Sequence, residues 1–81
     1  MFSQSRSHSD VVLVGEMFRL HRERCGSQIE AVCQLLTHGN GWEARLEVSG
    51  SVQRSDVRSS QDDVLAVADE WKASMVQNGW R

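Results

Sequence analysis

Residues 42–48 read WEARLEV, and their alternation constrains this chain more than any other stretch. Trp42, Ala44, Leu46 and Val48 interleave strictly with Glu43, Arg45 and Glu47. A period of two, with one apolar and one charged face, is the pattern of a half-buried antiparallel strand. HGNG precedes it, and Asn40-Gly41 is the residue pair that favours a type I′ hairpin turn. Ahead of that turn, QIEAVCQLLT is rich in branched residues and supplies a partner strand. With Asn40 and Gly41 as the two loop residues, Gly39 faces Trp42, Thr37 faces Ala44, Leu35 faces Leu46 and Cys33 faces Val48. Cys33 and Leu35 then share a face with Trp42, Leu46 and Val48, so turn chemistry and apolar pattern agree.

The flanking segments complete a sheet and a helix. Ser49-Gly50 reads as a second tight turn, followed by the polar SVQRSDV, which suits an edge strand. Its register stays open: a two-residue loop points Ser51, Gln53 and Ser55 inward, whereas a bulge at Gly50 points Val52 inward. Over residues 61–78, Val64, Val67, Ala68, Trp71 and Met75 fall on one helical stripe. Ser59 or Ser60 can cap its start, and Asp62 and Asp63 suit its N-terminal dipole. Gly79 is the stop, and a Schellman ending folds Trp80 back near Met75. Residues 10–25 support two readings. Val14, Met17, Phe18 and His21 fit a helix capped by Asp10 and stopped by Gly26. The valines and Gly15 favour a strand over roughly residues 16–24. The strand reading gives an α+β domain: a small antiparallel β-meander of three to four strands with one C-terminal amphipathic helix on one face. The helix reading gives αβββα.

Composition bounds what such a domain can do. Residues 1–9 are polar and serine-rich and are expected to form a disordered tail, leaving residues 10–81 as a single domain. The formal net charge of -2 provides no global positive field for nucleic acid or an anionic membrane. No apolar run approaches a membrane span. VVLV, flanked by Asp10 and Glu16, is too short for a secretory signal, so the expectation is cytoplasmic. In that compartment two cysteines are expected as thiols.

HRERCGSQIEAVCQLLTH, residues 21–38, places His21, Cys25, Cys33 and His38 close in sequence. Structural zinc sites space their cysteines by two to four residues, because a tight knuckle must aim both sulfurs at one point. Seven residues separate Cys25 from Cys33. In the hairpin register Cys33 points inward, while His38 lies on the outer face opposite Glu43. The set therefore reads as a small buried hydrophobe and a surface histidine. Asp62-Asp63 and Asp69-Glu70 are adjacent pairs that diverge on a helix. No phosphate loop or catalytic triad can be argued from spacing. No metal, no cofactor and no enzymatic activity are expected.

Two surfaces remain. RLHRER contains Arg19, Arg22 and Arg24, which together with Arg45, and with Arg54 and Arg58 beyond it, can make a patch for phosphates. Glu16, Glu23, Glu43, Glu47 and Asp56 are interleaved with the arginines and make that surface mixed in sign. The second is apolar: Val32 and Leu36 lie on the outer hairpin face beside Arg45, and one helix covers only one face of a sheet. Val32, Leu36 and Arg45 are the candidate interface residues. The expected role is that of a small soluble non-enzymatic domain for protein–protein interaction or homodimerisation, with another protein or a second copy as partner. Nucleic-acid binding or regulation through Arg19, Arg22, Arg24 and Arg45 is the alternative.

The segment from residue 17 to residue 80 resembles a group of small uncharacterised bacterial proteins. Gly41 to Val48, Ser55, Trp71, Gly79 and Trp80 carry the resemblance: an alternating strand, a short turn, a polar strand and a helix ending in Gly-Trp. It implies the meander-plus-helix fold and no activity. The αβββα reading is similar in topology to a double-stranded RNA-binding domain. That family places lysines at the start of its last helix, where this chain has Gln61, Asp62 and Asp63. It also uses a Gly-Pro-x-His loop between its first two strands, where this chain reads HGNG.

Overall fold

A computed structural model of the chain describes residues 11–81. The expected tail over residues 1–9, and Asp10, lie outside the described residues. Four antiparallel strands run in order β1 (Val12–Arg24), β2 (Ser27–His38), β3 (Gly41–Val48) and β4 (Ser51–Arg58), followed by α1 (Gln61–Gln77). The meander with one C-terminal helix is the fold, and residues 12–24 are a strand, not a helix. β1 starts four residues before the expected boundary, because two bulges, between Leu13 and Gly15 and between Glu16 and Phe18, carry the pairing through VLVGEMF. Each bulge inserts one residue and shifts the alternation, so Phe18 and Leu20 point inward although the segment lacks a clean period of two.

Tight turns join the strands. Cys25 and Gly26 have φ of 50° and 79°, and Ser49 and Gly50 have 53° and 83°. Positive φ at both central residues is the type I′ signature, which matches the twist of a hairpin. The middle turn corrects the expected register. His38 pairs with Gly41, so the loop residues are Gly39 and Asn40; Thr37 pairs with Trp42, Leu35 with Ala44 and Cys33 with Leu46. The reason for glycine at 41 is close approach: a Cβ there would lie 2.8 Å from the Arg58 carbonyl oxygen of β4. The correction moves pairing by two residues, so every side chain keeps its face.

The inner face packs on α1. Phe18, Leu20, Ala31, Cys33, Leu35, Ala44 and Leu46 meet Val64, Val67, Ala68 and Trp71, with Met17, Trp42, Val48, Met75 and Trp80 at the margin. In β4 the tight turn pairs Ser51 with Val48, and a bulge then absorbs Gln53. Val52 and Val57 consequently both point outward, while Arg54, Asp56 and Arg58 point inward. Arg54 stacks over Trp71, 5.1 Å from the ring centre.

Both helix ends are closed as the sequence suggests. Ser60 Oγ accepts from the Asp63 N–H at 3.1 Å. At the other end, the Trp80 N–H donates to Met75 O and the Gly79 N–H to Val76 O, with φ of 99° at Gly79. That pair of bonds is a Schellman motif. The chain then reaches the edge of β1, where His21 and Arg81 exchange backbone hydrogen bonds of 2.7 and 2.8 Å. Trp80 thereby lies against Arg22, whose guanidinium sits 6.0 Å from the ring centre.

The two glycines of the middle turn should respond differently to alanine. Gly41→Ala should lower stability by about 1–3 kcal/mol through overpacking against Arg58. At Gly39 a Cβ meets nothing within 4 Å, so Gly39→Ala should stay within about 0.5 kcal/mol of wild type. Urea midpoints of the two variants check the turn assignment, and equal losses would contradict it.

Candidate functional site

The outer face of the sheet is organised in three rows. Leu13, Leu36, Glu43 and Val57 stand side by side on β1, β2, β3 and β4. The next row is Glu16, Gln34, Arg45 and Ser55, and the third is Arg19, Val32, Glu47 and Val52. Among the described residues no helix lies over these rows, since the core formed with α1 is on the other face.

Glu43 is the one buried charged residue among the described residues, with 4% of its surface exposed. Burying a carboxylate is costly unless hydrogen bonds replace its water. Three strands provide them. Arg45 Nε donates to Glu43 Oε2 at 2.9 Å and Arg45 Nη2 to Oε1 at 3.2 Å. Ser55 Oγ donates to Oε2 at 3.0 Å. His38 Nε2 meets Oε1 at 2.6 Å; an ionised carboxylate only accepts, so Nε2 carries the hydrogen. Burial pushes the Glu43 pKa up, but the hydrogen bonds from Arg45, His38 and Ser55 outweigh it and hold the carboxyl below its ordinary value.

Local geometry explains these partners. Glu43 and Arg45 are two apart on one strand and therefore share a face. Ser55 is directly opposite Arg45, whereas His38 pairs with Gly41 and reaches Glu43 diagonally. This replaces the expected direct pairing of His38 with Glu43. Ser55 was missed because the β4 register stayed open. One signal for it was available: Val52 and Val57 are five apart, and only a bulge sets both on one face.

Each expected interface residue lies on this outer face, with changed surroundings. Leu36 pairs with Glu43 instead of Arg45, and it is buried at 5% exposure. Val32 is half-buried between Arg19 and Glu47. Arg45 pairs with Gln34 and is tied to Glu43. On this face Leu13, Val52 and Val57 are 54–55% exposed; Val12 and Val14 on β1 and Leu65 and Val76 on α1 are exposed apolar residues as well.

The arginines proposed for phosphates divide between the faces. Arg19 and Arg45 are on the outer face, and both are engaged by carboxylates: Arg19 bridges Glu16 at 2.7 Å and Glu30 at 2.6 Å. Arg22 and Arg24 lie on the inner side of the β1–β2 hairpin, beyond the end of α1. An open pocket at the β1 edge of this hairpin has Arg22, Glu23, Gly79 and Arg81 in its lining, and Arg24 is not part of it. The four arginines therefore do not form one continuous phosphate-binding surface.

The cysteines and histidines of residues 21–38 also separate. His21 contacts Glu30 on the outer face at 3.1 Å, Cys25 is exposed in a turn, and His38 is bound to Glu43. Cys33 is buried on the inner face opposite Leu46, and burial pushes its thiol pKa up to about 11. Among the described residues no group of three such side chains is placed to hold a metal ion.

Comparison with known protein families, with curated protein sequences and with solved structures finds no match to this chain.

The carboxylate cluster sets an acid limit on stability. The folded pKa of Glu43 lies below its unfolded value, so the contribution is complete above the unfolded pKa and is lost as pH falls through the folded one. Glu43→Gln should cost about 1–3 kcal/mol at neutral pH and flatten the loss on acidification. Urea titrations across the carboxylate range, on both proteins, measure this; parallel pH profiles would contradict it.

Reactivity should separate the two thiols. Cys25 should react with an aromatic disulfide reagent at the rate of a free thiol, and Cys33 only as the protein opens. Mass spectrometry of the timed adducts identifies the order, and early labelling of Cys33 would contradict its burial.

Proposed function

We propose that this chain is a small non-enzymatic interaction domain that binds another protein through the outer face of its sheet. The observation that carries this reading is the apolar surface at Leu13, Val52 and Val57, arranged around a fixed polar centre. Exposed aliphatic residues on a monomer are common individually. Here Leu13 and Val57 end the row in which a carboxylate is held by three side chains, Leu36 fills the space beside that carboxylate, and Val52 stands two rows away. Apolar side chains gathered on one sheet face among polar ones favour a protein contact surface.

Catalysis is a poorer account of the same cluster. Both Glu43 oxygens are occupied, and Ser55 donates its hydroxyl hydrogen to Glu43 instead of being activated by His38. Nucleic-acid binding is disfavoured by the division of Arg19 and Arg45 from Arg22 and Arg24. No helix among the described residues is long and apolar enough to cross a membrane.

Site-specific photo-crosslinking in cells tests the reading. A crosslinker at position 57 should give adducts of discrete mass, and one at Lys72, on exposed helix surface, should not. Leu13→Asp with Val52→Asp should remove the adducts at 57 while leaving the circular dichroism spectrum unchanged. Equal adducts at 57 and 72, or none at 57, would refute the contact surface.

A further inference from the structure

Resting on the outer face as the contact surface, we propose that its partner is a basic amphipathic segment, with lysine or arginine side chains seated on the third row of the sheet. Charge and shape on that face carry the inference. Among the described residues, Glu16, Glu23, Glu30, Glu43 and Glu47 face outward against Arg19 and Arg45. With the histidines neutral, the face carries a surplus of three negative charges. Arg19 and Arg45 are already engaged, Arg19 by Glu16 and Glu30 and Arg45 by Glu43. Neither is left to attract an acidic partner.

Glu47 gives the surplus a location. It stands between Val32 on β2 and Val52 on β4, and among the described residues no cation pairs with it. A carboxylate flanked by two valines fits a lysine or arginine in particular. The aliphatic stem lies along the valines while the charged head meets the carboxylate. Leu13 and Val57 supply apolar contact at the far end of the same face. A second copy of this chain is a poor occupant, because two-fold packing brings two acidic faces together, and like charges across an interface oppose association.

Two synthetic amphipathic peptides of about five helical turns, one leucine–lysine and one leucine–glutamate with the same apolar pattern, test this on the full chain by NMR. The leucine–lysine peptide should shift the methyl resonances of Val32, Val52 and Val57. Its affinity should fall steeply with salt and by about tenfold or more in Glu47→Lys. Equal binding of both peptides would overturn the basic partner while leaving the apolar contact surface standing. Shifts confined to Asp62, Asp63, Asp69 and Glu70 on α1 would show unspecific attraction and overturn the proposal. A wild-type dimer by sedimentation that Val57→Asp dissolves would assign the face to a second copy. Contacts from Met1 or Phe2 to Val57 in the free protein would assign it to the chain's own first residues. If neither peptide binds although position 57 gives adducts, the partner chemistry is wrong and the contact surface survives. If the adducts are absent as well, both fail.

Discussion

The contact between α1 and the inner face of the sheet is the interaction on which the remaining structure depends. A four-stranded sheet has two faces, and the described chain has one helix with which to cover them. Val64, Val67, Ala68 and Trp71 form a single stripe, and that stripe shares one core with three of the inner rows: Phe18 with Cys33 and Leu46, Leu20 with Ala31 and Val48, and Leu35 with Ala44. Burial of these groups supplies the main driving force for folding. A domain of this size has little core to spare, so the outer face has to be stabilised by other means.

Side-chain pairing across the strands provides those means. The Glu43 cluster joins β2, β3 and β4 through a single carboxylate, and its stability comes from complete satisfaction of both oxygens, not from the ion pair alone. The Arg19 cluster with Glu16, Glu30 and His21 is about four-tenths exposed and adds little, as exposed ion pairs generally do. Its consequence is electrostatic: it neutralises Arg19 locally and leaves the face acidic.

The edges of the sheet are treated differently. β4 is polar and carries the Asp56–Arg58 ion pair along its length, which discourages pairing with another strand. On β1 the chain after α1 takes part of the edge: the Schellman turn at Gly79 redirects the backbone so that Arg81 pairs with His21. Trp80 is carried into the space between α1 and the β1–β2 hairpin by the same turn. The end of the helix therefore does two tasks, closing the core margin and occupying an edge.

Local patterns in the sequence determined the type of most elements. Alternation in WEARLEV, the stripe from Val64 to Met75, the serine cap and the Gly79-Trp80 ending are each written within a few residues, and each depends on short-range geometry. The inside and outside of β2 and β3 were legible for the same reason. What the tertiary structure alone decided lies beyond that range. The β2–β3 register differs from the expected one by two residues, a shift to which alternation is blind because parity is unchanged; the approach of Arg58 to Gly41 distinguishes the two. The bulges in β1 and β4 interrupt the period that identifies a strand, so residues 10–25 also fitted a helix through Val14, Met17, Phe18 and His21, and the direction of Val52 stayed open. The candidate site shared this limit. Val32, Leu36 and Arg45 could be placed on the outer face by counting, but the burial of Glu43, its contact with Ser55 and the exposure of Val57 require β4 in register, and that register is set by packing between strands distant from one another in the chain.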